Sequence, residues 1–85
     1  MDNWSVYIIR CSDNSLYTGI TTDPARRFEQ HASGRGARYF RGRKPEAMVF
    51  CESGFNRSTA SCREAQIKSL SRVEKEKLIE ETGIA

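Results

Sequence analysis

The sequence predicts a small α/β sandwich, with a three-stranded, mostly antiparallel sheet flanked by helices in the order β-β-α-β-α-α. Three observations carry this expectation. Two alternating apolar segments, 4–10 and 16–21, are separated by the turn cluster Cys11-Ser12-Asp13-Asn14-Ser15. Asp23-Pro24 then opens a helical pattern, and a short continuous apolar run over 46–52 precedes two further helical stretches. A length of 85 residues predicts one domain, 1–85.

The first strand, WSVYIIR, is aromatic and β-branched. Trp4, Val6 and Ile8 fall on one face, and Ser5, Tyr7 and Ile9 on the other. In the second, LYTGIT, Leu16, Thr18 and Ile20 share a face opposite Tyr17 and Gly19. Directly opposed residues of an antiparallel pair share a face. Joining the two apolar sets therefore requires even residues to oppose even residues, and a slip of one would expose one set. Even matching demands an odd loop, expected as Asp13–Ser15, and it puts Tyr7 and Tyr17 on one common face.

Asp23 is a capping residue, and Pro24 at the first helical position loses no needed donor. This helix is expected to run to about Ser33, with Gly34 as its stop. Phe28 and Ala32 are expected to face the sheet, with Arg27 and His31, four apart, on an adjoining face. The run 46–52, EAMVFCE, suits a third strand buried on both faces. Asn56 and Ser58 are alternative caps for the next helix, on which Ala60, Glu64 and Ile67 share one inward face. Ser71 and Glu74 form a capping box for the last helix, anchored by Val73 and Leu78 and ended by Gly83.

No apolar run approaches the ~20 residues that span a bilayer, and MDNWSVY lacks the basic start and apolar core of a signal peptide. A cytoplasmic protein is expected, with no membrane partner and no small-molecule cofactor. Cys11, Cys51 and Cys62 are odd in number and lack a C-x-x-C spacing, which fits neither a disulfide framework nor a zinc site; reduced thiols are expected. Net charge is +3, but 26–44 holds Arg26, Arg27, Arg35, Arg38, Arg41, Arg43 and Lys44 against Glu29 alone, a local +6 that leaves −3 elsewhere. Such concentration points to a polyanionic partner. Within 34–45, Tyr39 or Phe40 could stack on an unpaired base, and one of them is expected to anchor the loop in the core.

Taken singly, Tyr7 and Tyr17 are ordinary strand aromatics, His31 a surface helix residue, and Glu64 a carboxylate salt-bridged to Arg27. Taken together, Tyr7 in the first strand, Tyr17-Thr18-Gly19 in the second, Arg27 and His31 in DPARRFEQH, and the later REAQIKSLS closely resemble the GIY-YIG nuclease domain. The resemblance spans nearly the whole chain. It is nearest to small stand-alone bacterial proteins of the YhbQ type, with junction-cutting endonucleases and the N-terminal domain of UvrC as more distant relatives.

The resemblance implies phosphodiester hydrolysis with one divalent ion, Mg2+ or Mn2+. It assigns the motif tyrosines to Tyr7 and Tyr17, the helix arginine to Arg27, the following ring to His31, and the metal-binding carboxylate to Glu64. It also implies DNA as partner, in a repair or recombination setting. Ser5-Val6-Tyr7 stands where the family has Gly-Ile-Tyr, Ile20 replaces a lysine found in some members, and no asparagine follows Asn56 to fill a downstream role seen in others. In this reading Arg27 holds the scissile phosphate with its planar fork. Tyr7 is the base or water-positioning group, its pKa lowered by nearby cations, while Tyr17 and His31 position water or phosphate. Nucleic-acid contacts are expected from Arg26, Arg35, Arg38, Tyr39, Arg41, Arg43 and Lys44. With 85 residues no separate recognition domain is expected, so targeting would come from a partner. The alternatives are a non-catalytic nucleic-acid-binding module and an accessory protein of a repair complex.

Overall fold

The computed structural model describes residues 2–82. Strand β1 (Trp4–Cys11) is central, with β2 (Leu16–Thr21) and β3 (Pro45–Phe55) antiparallel on either side. Helices α1 (Pro24–Ala32), α2 (Arg57–Lys68) and α3 (Arg72–Thr82) complete the expected order β-β-α-β-α-α, and one 3₁₀ turn, Arg38–Phe40, lies between α1 and β3.

The hairpin keeps the even-to-even register: Val6 opposes Ile20, Ile8 opposes Thr18 and Arg10 opposes Leu16. Its loop sits one residue earlier than expected. Cys11 N–H donates to the Ser15 carbonyl at 2.9 Å, so the three loop residues are Ser12, Asp13 and Asn14, not Asp13–Ser15. A three-residue hairpin loop places its last residue in the left-handed region. Asn14 does so with φ +67°, a conformation asparagine tolerates better than most residues. The shift puts Gly19, not Thr21, opposite Tyr7.

Both faces of β1 are covered, and Ser5 to Ile9 are all buried. Val6 and Ile8 pack with Phe50 of β3 and with Ala60 and Ile67 of α2, while Leu78 and Ile79 of α3 flank them. Tyr7, Ile9 and Cys11 pack on the other face with Phe40, flanked by Phe28 of α1 and Met48. The apolar run 46–52 is thus not a strand buried on both faces. It lies in an edge strand, longer than expected, in which only Phe50 is buried. A bulge explains the misleading pattern. Ile8 pairs with Phe50 and Ile9 with Met48, which leaves Val49 unpaired. Met48, Val49 and Phe50 consequently divide between the two cores without strict alternation.

The caps follow the sequence. The Asp23 carboxylate accepts from Arg26 N–H at 3.2 Å, and Gly34 turns the chain at φ +83° beyond α1. Between the two candidate caps of α2, Asn56 serves, in a reciprocal box with Thr59. Ser71 N–H donates to Glu74 and Glu74 N–H to Ser71 Oγ, giving the expected box before α3. Two apolar anchors move. Ala32 is exposed and His31 takes the inward position beside Phe28. Val73 is 77% exposed, because five residues at 3.6 per turn set it roughly 140° from Leu78. Gly83 lies outside the described residues.

Arg10 at the end of β1 reaches α3 through two bonds to Glu76, of 2.6 and 2.9 Å, and Arg72 approaches the same carboxylate at 2.8 Å. The Arg10 hydrogen bond, with Arg72 beside it, holds the Glu76 carboxyl down to about 2 from its usual 4.5. A depressed carboxyl contributes stability above its unfolded pKa and loses it on acidification. The docking of α3 should therefore weaken as pH falls from 4.5 toward 2. The loss is modest because the pair is partly exposed. Amide exchange of α3 should rise over that interval in the wild type, and already be raised at pH 7 in Arg10→Ala.

Candidate active site

Strands β1 and β2 and helix α1 bring Tyr7, Tyr17 and His31 together on one face. The ring centroids of Tyr7 and Tyr17 are 6.2 Å apart, and that of His31 is 6.1 Å from Tyr7 and 5.3 Å from Tyr17. Phe40, carried in by the 3₁₀ turn, closes the cluster at 4.3 Å from His31 and 4.9 Å from Tyr17. Register makes room for this. A Cβ at Gly19 would lie 2.5 Å from the Tyr7 hydroxyl, so only glycine fits opposite that ring. Gly36 is constrained in the same way, since a Cβ there would overlap the His31 imidazole.

Tyr7 and His31 are almost wholly buried, and Tyr7 Oη lies 2.9 Å from His31 Nε2. Burial, with Tyr17 beside it, pushes Tyr7 up to about 12, and the neighbouring Arg27 guanidinium only partly opposes this. The expected lowering by nearby cations is therefore reversed: loss of water around the phenolate outweighs one cation. Burial, then the positive charge of Arg27, holds His31 down to about 4. At neutral pH the pair is a protonated phenol against a neutral imidazole.

Arg27 is half-buried on α1 and donates to Gln30 Oε1 at 3.0 Å. Glu64 is not a hydrogen-bond partner of Tyr7 or His31. It projects from α2, in the opposite layer, with its side chain 23% exposed and ion-paired to Lys68 at 3.2 Å, not to Arg27 as in its bland alternative reading. Its charge nonetheless reaches Tyr7, as the weakest of the influences that set that phenol's pKa. Among the described residues, no three of His, Cys, Asp and Glu gather into a group that could hold a metal. One partly exposed carboxylate still fits a magnesium ion, which keeps most of its waters and takes one or two protein carboxylates plus substrate oxygens. All three cysteines are free thiols.

The cations divide into two kinds. Arg26, Arg35, Arg38, Arg41 and Lys44 are exposed. Arg43 is committed internally: its Nε donates to Asp13 at 2.9 Å and its guanidinium lies 4.2 Å from the Tyr39 ring centre. Of the two loop aromatics, Phe40 is the core anchor and Tyr39 stays half-buried. Two open grooves run side by side along α1. One, of about 310 Å³, is lined by Trp4, Thr21, Thr22 and Arg27, and the other, of about 430 Å³, by Ser33 and Arg35; Arg26 and Gln30 line both. Gln30, Gly36 and the Ala37 amide were not singled out by the sequence pattern, which marked Trp4 as a strand-face residue without a role in the site. Only Gln30 had a signal, its i+3 spacing from Arg27.

The chain belongs to the GIY-YIG family: the model of the GIY-YIG catalytic domain matches residues 3–77. That family is a nuclease superfamily, generally dependent on a divalent metal. The chain is 49% identical over 79 residues to a UPF0213 protein of Cronobacter sakazakii, covering 93% of this chain and 83% of that one. It is 44% identical over 84 residues to the UPF0213 protein YhbQ of Escherichia coli, covering 99% and 84%. The solution structure of a UPF0213 protein from Bacillus halodurans superposes with a TM-score of 0.58 at 45% identity, over 91% of this chain and 82% of that one. A protein from E. faecalis, also solved by NMR, gives 0.59 at 38% identity, over 92% and 88%. No helix among the described residues is long and apolar enough to cross a membrane.

Proposed function

We propose that the chain is a metal-dependent endonuclease that hydrolyses DNA phosphodiester bonds, with branched or damaged DNA as its substrates. The observation that carries this is the joint placement of Tyr7, Tyr17 and His31 on one face, with Arg27 acting on the Tyr7 hydroxyl and itself lining a groove with Arg26, and with the Glu64 charge within electrostatic reach. Arg26, Arg35, Arg38, Arg41 and Lys44 draw in the phosphate backbone, and Tyr39 offers a ring beside them. Arg43 contributes less, being held by Asp13.

Arg27 grips the scissile phosphate with its planar fork. Tyr7 works as a protonated, water-positioning hydroxyl, a role that suits a phenol held at about 12 better than that of a resting phenolate base. Tyr17 and neutral His31 keep that hydroxyl oriented. Glu64 would hold the metal ion, which when bound supplies charge stabilisation to the phosphate and the leaving oxygen. The cytoplasm is the expected compartment, and a repair-complex protein the partner that would target the domain.

The test is a panel of duplex, flap, fork, gapped and single-stranded DNA, incubated with pure protein and Mg2+ or Mn2+, with and without chelator. Cleavage that needs the metal and favours branched or damaged forms is the expected result. A second reading, a non-catalytic binding module, draws on the ion pair that occupies Glu64. Salt-sensitive binding with no cleavage of any substrate, indifferent to metal and lost when Arg38, Arg41 and Lys44 are all changed to alanine, would replace the first reading by the second.

A further inference from the structure

His31 makes two hydrogen bonds through its two ring nitrogens, and the second fixes the sense of the first. The backbone N–H of Ala37 points at Nδ1, 3.2 Å away. A peptide N–H can only donate, so Nδ1 is an unprotonated acceptor, and a neutral imidazole must then carry its proton on Nε2. Nε2 is the atom 2.9 Å from Tyr7 Oη. The bond between them therefore runs from imidazole to phenol, and the phenolic oxygen accepts. Arg27, the other side chain that hydrogen-bonds that hydroxyl, is also only a donor. Neither can take the Tyr7 proton.

We propose that the Ala37 amide is a positioning group: by locking His31 in the Nε2–H tautomer it makes His31 a donor to Tyr7 and leaves the Tyr7 hydroxyl proton free for a water or phosphate oxygen. The surrounding packing makes the lock specific. Gly36 allows the loop backbone to lie against the imidazole, which no side chain there would permit. Phe40 covers the ring at 4.3 Å, and Ala37 holds an extended conformation at φ −65°, ψ 152° as it enters the 3₁₀ turn. Arg35 and Arg38 flank this amide, so the loop that carries exposed cations also sets the tautomer behind Tyr7.

The catalytic consequence rests on the nuclease reading above, but the tautomer does not, and the experiment separates them. Nitrogen-15 NMR of the wild-type protein at pH 7 should show Nε2 of His31 protonated and Nδ1 bare, whether or not any DNA is cleaved. The opposite tautomer, or a ring protonated on both nitrogens, overturns the proposal. Semisynthesis with lactate in place of Ala37 converts the amide to an ester, replacing the N–H with an oxygen that cannot donate while every side chain is kept. That protein should show a mixed or reversed His31 tautomer, an unchanged Kd for DNA, and a kcat lowered about tenfold, the scale of one hydrogen bond. If the ester variant folds and keeps both the wild-type tautomer and the wild-type kcat, the Ala37 amide does not position the site. Cleavage absent in wild type with the tautomer as described would sink the nuclease reading and leave the lock standing.

Discussion

Glu64→Ala should bind DNA as tightly as wild type, or more tightly, while its cleavage rate falls about a thousandfold, the several kcal/mol that a metal ion's charge supplies at a transferring phosphoryl group. The binding half follows from charge: removing one carboxylate from a site approached by phosphates leaves the exposed cations of α1 and the loop untouched. The rate half follows from the donor inventory. Among the described residues, no cluster of three metal-ligating side chains offers an alternative seat. Folding should be little affected, since the Glu64 side chain is partly exposed and its ion pair is the i,i+4 contact with Lys68, worth about 0.3–0.5 kcal/mol. Fluorescence anisotropy and single-turnover cleavage on one labelled fork, with isothermal titration of Mg2+ or Mn2+, check all three points. Unchanged cleavage in Glu64→Ala would remove the metal role from Glu64, and with it the metal-assisted mechanism.

The geometry behind that experiment was legible in the sequence to very different degrees. The parity of the hairpin could be read directly, because only even-to-even matching unites Val6 and Ile8 with Leu16 and Ile20. Its absolute position could not. Loops at Ser12–Asn14 and Asp13–Ser15 preserve the same parity, and the choice rests on which residue takes the left-handed turn, a role that fell to Asn14. That one step decides whether Tyr7 faces Gly19 or a β-branched threonine, and hence whether its ring has room.

The apolar run in β3 misled because one bulged residue, Val49, breaks the alternation that marks an edge strand. On α1, hydrophobicity favoured Ala32 as the inward residue, yet His31 is inward because two hydrogen bonds offset the cost of burying its polar atoms. The Ala37 amide lay beyond sequence reading altogether. It is a backbone contact from a stretch without periodicity, and no side-chain pattern encodes it. Tyr7, Tyr17, Arg27, His31 and Glu64 could be named together only through the resemblance to a known domain. Spacing alone put Arg27 and His31 on one face and left Glu64 with a bland alternative, a bridge to Arg27, which the Lys68 pair supersedes.

Tyr7→Phe is expected to lower kcat by about 10²–10⁴-fold, the range for loss of a positioned proton-transfer group, with the Kd for DNA unchanged. The substitution removes one oxygen and keeps the ring, so the packing against Gly19, Tyr17 and Ile9 persists. What it strands is the buried Nε2 proton of His31, whose hydrogen bond in the structure is to that oxygen, at a cost of about 1–3 kcal/mol in stability. The same pair dictates the pH profile. Burial holds the free-protein Tyr7 at about 12 and His31 at about 4, so neither changes charge between pH 5 and 11. The kcat/KM of the wild type should therefore carry no step from either group across that window. Only near pH 4, where His31 gains a proton on Nδ1 and the Ala37 amide loses its acceptor, should the rate fall. A kcat/KM that climbs tenfold per pH unit through neutrality, is abolished in Tyr7→Phe, and plateaus near pH 9 would instead make Tyr7 a phenolate base, and would mean that substrate and metal together overcome the burial that keeps the free phenol protonated.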